Sequence, residues 1–220
     1  MDLGIAGRRA AVAGASRGLG LATATALVAA GVDVAICGRD AERTAATAAA
    51  IGARPILADV STVEGARGFV ADAQAALGGI DILVANSGGP PGGGISAFPD
   101  VEAYSRAFEQ SAAAMIAMCL AAVGGMRERG WGRILAITST SVREPLAGLV
   151  LSNVARAGFT AFLKTLATDA APDGVTVNSL QPGFHATDRL AELGFFGGVD
   201  RARERFELIG GEIVPMSAKG

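Results

Sequence analysis

The sequence predicts an α/β protein built as a doubly wound parallel sheet in a single domain. Three observations predict it. Short apolar strand-like runs alternate with longer helical runs from end to end. The strand-like runs are apolar at consecutive positions, as strands covered on both faces require. The first strand also runs into a glycine-rich loop that opens directly into a helix.

The elements follow in order. RRAAVAG at 8–14 is the first strand, and LGLATATALVAAG at 19–31 the first helix, closed by Gly31. VDVAICG at 32–38, ARPILAD at 53–59 and DILVAN at 81–86 are the next strands. Between them lie a helix over 40–52 with Asp40 at its N-cap, and one capped by a Ser61/Glu64 box that runs to about Gly78. The loop SGGPPGGG at 87–94 leads to a long helix from Asp100 to about Glu128. GRILAITS at 132–139 is strand five, a helix runs over 149–171, and VTVNSL at 175–180 is strand six.

Length and composition narrow the function. The 220 residues suffice for one domain with a substantial core, here taken as 1–220. Net charge is −2, and no basic stripe carries interleaved aromatics, so no nucleic-acid partner is expected. The single histidine and two distant cysteines, Cys37 and Cys119, match no metal-ligand spacing, so no metal is expected. The two thiols read as buried core groups. The uncharged stretch at 110–126 is short for a membrane span, and no signal peptide is read at the start. A cytoplasmic protein with no membrane partner is the expectation.

AGASRGLG at 13–20 carries the clearest chemistry. Gly14, Gly18 and Gly20 let the backbone approach a pyrophosphate, and the helix N-terminus favours its charge, with Ser16, Arg17 and Leu19 in the same loop. Strand two ends in Gly38–Arg39, where a carboxylate would meet the hydroxyls of an unphosphorylated ribose. Arg17 and Arg39 instead offer two guanidinium groups to a 2′-phosphate, which favours NADP (NADPH) over NAD.

Taken together, these motifs resemble the short-chain dehydrogenase/reductase family, especially its 3-oxoacyl-[acyl-carrier-protein] reductases. AGASRGLG resembles the Thr-Gly-x-x-x-Gly-x-Gly loop with Ala13 for Thr, and Asp59–Val60 resembles the pair set against adenine. ANSGG at 85–89, with Asn86 and Gly88, resembles the Asn-Asn-Ala-Gly segment. QPGFHAT at 181–187 supplies Pro182, Gly183 and the Thr187 that the resemblance sets near the nicotinamide amide. It implies a Rossmann-type, NAD(P)-binding oxidoreductase of a carbonyl or hydroxyl substrate. A further helix and a seventh strand are also implied; only their beginning is matched, by IVPMSAKG at 213–220.

The implied catalytic residues depart from the family. Ser139 matches its serine, but its Tyr and Lys positions read Ser152 and Arg156, and its helical Asn falls near Ser111. Arg156 is assigned both ribose binding and the fixed positive charge. Residues four apart share a helix face, so Ser152 and Arg156 can both face the cofactor. An aliphatic hydroxyl donates hydrogen bonds well and protons poorly, so the ordinary proton route is expected to be crippled. A water relay through Ser139 and Ser152, His185, or Glu144 are the substitutes. Phe184, Phe195 and Phe196 are either an apolar lid or ordinary packing. Two functions stay open: an NADP-linked oxidoreductase with an altered site, or an NADP(H)-binding sensor or partner subunit. The long helices at 100–128 and 149–171 are expected to carry a homo-oligomer interface, as a dimer or tetramer.

Overall fold

A computed structural model describes residues 3–183, 185, 206–209 and 212–215. It divides into two compact units, Met1–Gln181 and Pro182–Gly220.

The first unit holds a six-stranded parallel sheet in the order β3-β2-β1-β4-β5-β6. Its strands are β1 (Arg9–Val12), β2 (Asp33–Gly38), β3 (Arg54–Leu57), β4 (Ile82–Ala85), β5 (Gly132–Ile137) and β6 (Val175–Leu180). Pro55 is tolerated because β3 is an edge strand, where a missing N–H need not break the ladder. The helices α1 (Gly18–Ala29), α2 (Ala41–Ile51), α3 (Val63–Leu77), α4 (Val101–Phe108), α5 (Ala114–Glu128) and α6 (Val150–Ala170) cover the sheet.

Alternation along the strands divides the core in two. Ala10, Val12, Val34, Ile36, Ile82 and Val84 pack with α1 and α2. Ala11, Ala35, Leu83, Ile134 and Ala136 pack with α3, α5 and α6 around Phe69, Met115, Met118 and Phe159. Each of these four large side chains is fully buried, a contribution of about 1.5–3 kcal/mol apiece before entropy. Strand order reverses between β1 and β4, and that crevice at the carboxyl ends of the strands is where open α/β sheets take ligands.

Two expectations need correction. Ser61 and Glu64 form no capping box. Asp59 accepts both the N–H (3.0 Å) and the hydroxyl (2.6 Å) of Ser61, and Thr62 caps α3 by accepting Gly65 N–H (3.1 Å). The long helix over 100–128 is not uniform either. A π-helical turn, Glu109–Ala113, separates α4 from α5 and carries Ser111. The span Val101–Glu128 is long and apolar enough to cross a membrane, but just over half of its most apolar window is buried within the fold. Asp40 does cap α2, accepting Arg43 N–H at 3.0 Å.

In the second unit, β7 (Phe206–Ile209) and β8 (Glu212–Pro215) form an antiparallel hairpin. Residues 213–215, the described part of the stretch that resembles the closing section, fall on β8.

Candidate active site

The glycine loop is pinned from three sides. Ala13 N–H donates to Val84 O (3.0 Å), Ala15 N–H donates to Cys37 O (2.9 Å), and Asn86 Nδ2 donates to Ala13 O and Gly14 O (3.2 Å each). Gly14 has φ +56°, a left-handed conformation that only glycine adopts freely. A methyl group on Gly20 would stand 2.5 Å from Gly14 O, so that position admits no side chain. No side chain caps α1, which leaves its first-turn N–H groups facing the crevice for an anion. The loop, with Ser16, Arg17, Gly18 and Leu19, is therefore a cradle of the right shape and charge for a pyrophosphate.

The end of β2 is closed to a carboxylate. A Cβ on Gly38 would lie 2.5 Å from Thr44 Oγ1 and 3.0 Å from Ser16 Cβ. The neighbouring Asp40 is engaged elsewhere, accepting Arg43 N–H at the N-cap and the Arg43 guanidinium at 2.6 Å. Those bonds hold its carboxyl below the usual carboxylate range. Arg17 and Arg39 are exposed at this end of the crevice. Asp59 is also held below its ordinary range, chiefly by the Ser61 hydroxyl and in part by the charge of Arg39. Val60 beside it is buried. Gly65 lets α3 start tight against this turn, since a Cβ there would overlap Asp59 O.

Beyond β4, Gly88 O accepts Gln110 Nε2–H (3.0 Å), and Ser87 Oγ donates to Gln110 O (3.4 Å). The π turn is thereby tied to the loop below it. Its Ser111 is fully buried, with a hydroxyl that has no hydrogen-bond partner.

The catalytic candidates lie on β5 and α6. Ser139 follows β5, and its Oγ accepts Ser141 N–H at 3.1 Å. Ser152 and Arg156 are both 8% exposed, so they belong to the interior and not to a solvated face. Arg156 Nε donates to Ser152 Oγ (3.2 Å), and Nη1 donates to Ile137 O (2.9 Å) and Thr138 O (3.2 Å). One guanidinium thus links Ser152 to the strand end that carries Ser139. Its bonds to the carbonyls of Ile137 and Thr138 anchor the guanidinium at the carboxyl end of β5.

Glu144 is exposed. Pro182, Gly183 and His185 belong to the second unit, where His185 Nδ1 lies 3.2 Å from Gly183 O. Thr187, Phe184, Phe195 and Phe196 lie outside the described residues. The sequence reading did not pick out Gln110, Ser87 or Gly93. Their contacts are to backbone atoms distant in sequence, and residue type carries no signal of that.

Residues 8–194 match the family model for short chain dehydrogenases. The chain belongs to the short-chain dehydrogenase family. Among its relatives, the short-chain reductase protein NovJ of Streptomyces niveus is 35% identical over 197 residues, covering 87% of this chain and 74% of that protein. The acetoacetyl-CoA reductase of Rhizobium meliloti (strain 1021) is 34% identical over 185 residues, 83% of this chain and 76% of that enzyme. The crystal structure of L-sorbose reductase from Gluconobacter frateurii, complexed with NADPH and L-sorbose, superposes with a TM-score of 0.83 at 30% identity, covering 93% of this chain and 81% of that one.

The short-chain dehydrogenase fold expected from sequence is therefore present, and the chain is an oxidoreductase of that family, resembling its 3-oxoacyl reductases. The family's cofactor is a nicotinamide dinucleotide. The Gly20 cradle, the uncapped start of α1 and the Asn86 brace fit its pyrophosphate.

Proposed function

We propose that this short-chain dehydrogenase is an NADP(H)-dependent reductase of a carbonyl compound, of 3-oxoacyl type, with an altered proton path. The observation that carries the reading is the state of the two hydroxyls. Ser139 Oγ accepts Ser141 N–H and Ser152 Oγ accepts Arg156 Nε–H. Each oxygen is used as an acceptor, so each O–H remains to donate outward.

Gly14, Ser16, Gly18, Leu19 and Gly20 hold the pyrophosphate; Asp59, Val60, Asn86 and Gly88 line the adenine and ribose side. Arg17 and Arg39 take the 2′-phosphate, a reading supported by the closed position at Gly38 and by Asp40 being engaged with Arg43. The family resemblance assigns Pro182, Gly183 and Thr187 to the nicotinamide end. A reduced dinucleotide held by these residues would supply the hydride that the carbonyl carbon accepts. Ser139 and Ser152 donate hydrogen bonds to the carbonyl oxygen as negative charge develops there, and Arg156 strengthens Ser152 as a donor. A water would relay a proton from bulk solvent to that oxygen, taking one up as it gives one away, since neither serine is acidic enough and a guanidinium does not release its proton. Ser111, buried and without a partner, is a further polar group on the side of α5.

The test is titration with NADPH and NADH followed by nucleotide fluorescence, then a panel of ketones, aldehydes and 3-oxoacyl thioesters. NADPH oxidation that falls by about 10²–10³-fold in Ser139→Ala or Ser152→Ala supports the reading. Equal or tighter NADH binding overturns the phosphate assignment.

A second reading has its own observation. Arg156 is engaged with the β5 carbonyls, so its reach toward a ribose is restricted. On this reading the protein binds NADP(H) as a sensor or partner subunit. Tight NADPH binding without oxidation across the panel is its expected result. Under either reading the exposed Phe108, Leu120 and Val154 support a homo-oligomer through α4, α5 and α6, which light scattering checks.

A further inference from the structure

Helix α6 carries both Ser152 and Arg156, yet its start lacks a capping side chain. The N-cap position is Leu149, followed by Val150 and Leu151. None of these side chains can accept a first-turn N–H, and Ser152 itself lies in that uncapped first turn. Something outside the helix must define where it begins.

The missing acceptor comes from the glycine-proline loop after β4. Gly93 O accepts Val150 N–H (3.2 Å), and Gly93 N–H donates to Gly148 O (2.6 Å). Together they form an isolated parallel bridge between Gly93 and Leu149. Asn153 adds a local tie, its Nδ2 donating to Leu146 O at 3.0 Å. Position 93 is closed to any other residue. Its φ is +153°, and a Cβ there would stand 2.7 Å from Phe98 Cε2 and 3.0 Å from Ala97 Cβ. Gly94, next along, has φ −84° and open space around it.

We infer that Gly93 is a positioning residue: through its backbone bridge to residues 148–150 it sets the first turn of α6 and so the place of Ser152. The inference rests on the proposed role of Ser152 as a hydrogen-bond donor to the substrate oxygen. The loop and the helix start then move as one piece, so order in the loop is transmitted directly to the Ser152–Arg156 pair. The pyrophosphate cradle is pinned by β2, β4 and Asn86, and takes no part in this bridge. Gly93 therefore acts on turnover and leaves dinucleotide affinity alone.

The first experiment is amide hydrogen exchange on the full chain. Val150 N–H is expected to exchange at least about tenfold more slowly than an unprotected loop amide; exchange at the unprotected rate overturns the bridge. Gly93→Ala is expected to remove that protection, while Gly94→Ala retains it. Identical exchange at Val150 in both variants overturns the assignment, as does exchange that rises throughout the domain in Gly93→Ala. With a substrate from the panel, Gly93→Ala should lower kcat by about 10–100-fold, the penalty of a small misplacement, with NADPH affinity within about twofold of the parent. Loss of NADPH affinity in parallel with kcat overturns the positioning role. A parent protein without turnover sinks the reductase reading by itself, and the exchange arm still decides the bridge.

Discussion

Arg156 Nε lies 3.2 Å from Ser152 Oγ, one helical turn back, while its Nη1 lies 2.9 Å from Ile137 O on β5. The pair is therefore one unit joined to the sheet, and substitution of either member is felt by the other. Arg156→Ala leaves two buried carbonyls without this donor. We expect a loss of about 2–4 kcal/mol, read as a lower midpoint in urea unfolding. Arg156→Lys should recover only part of it, because a point ammonium cannot span the hydroxyl and both carbonyls as a planar fork does. Equal stability of parent and Arg156→Ala would show that the guanidinium carries no structural load.

Proton supply gives a second prediction. Neither a serine hydroxyl nor a guanidinium titrates near neutrality. The pH profile of kcat/KM for carbonyl reduction should be flat between about pH 6 and 9, with no ionisation of an active-site acid. A slope of one unit per pH unit within that range would identify a titrating donor and remove the water path.

Cofactor choice depends on the end of β2. Arg39→Ala should weaken NADPH binding by about 10–100-fold, the worth of a charge-assisted hydrogen bond, and leave NADH within about twofold. Gly38→Asp, a natural route toward NADH, should instead damage the fold, because its Cβ would stand 2.5 Å from Thr44 Oγ1. Fluorescence titration and thermal unfolding of the two variants separate these outcomes.

Acid stability is set at the opposite end of the strands. Asp81 is nearly buried and accepts Arg9 Nε (2.9 Å) and Nη2 (2.7 Å), with Arg129 Nε 3.3 Å away. The Arg9 hydrogen bonds, opposed by burial and helped by the charges of Arg9 and Arg129, hold its carboxyl below the usual range. A depressed folded pKa means stabilisation present above about pH 4, the unfolded value, and lost as pH falls through the lower folded one. Asp81→Asn should cost roughly 2–3 kcal/mol at pH 7, less than a fully buried pair because Arg9 keeps contact with water. The difference from the parent should shrink below about pH 4, which unfolding curves at pH 7 and pH 3 would test.

By itself the sequence determined the sheet. Alternating apolar strands and helices, Asp40 before α2 and glycines at 14, 18 and 20 are local signals, and they led to the observed parallel sheet and loop, while the strand order came from the fold. Family spacing also placed Ser139, Ser152 and Arg156 together at the end of β5 and the start of α6. Tertiary structure decided what those residues touch. Asp59 drew Ser61 away from the helix cap, the π turn interrupted the long helix at Ser111, and Arg156 turned to the carbonyls of Ile137 and Thr138. Gly93 reached Val150 across fifty-seven positions of chain, a separation given by their numbers. Hydrophobic period and turn chemistry act between near neighbours and can be read along the chain. A buried donor takes whichever acceptor the packed fold brings within about 3 Å, and only the fold supplies that acceptor.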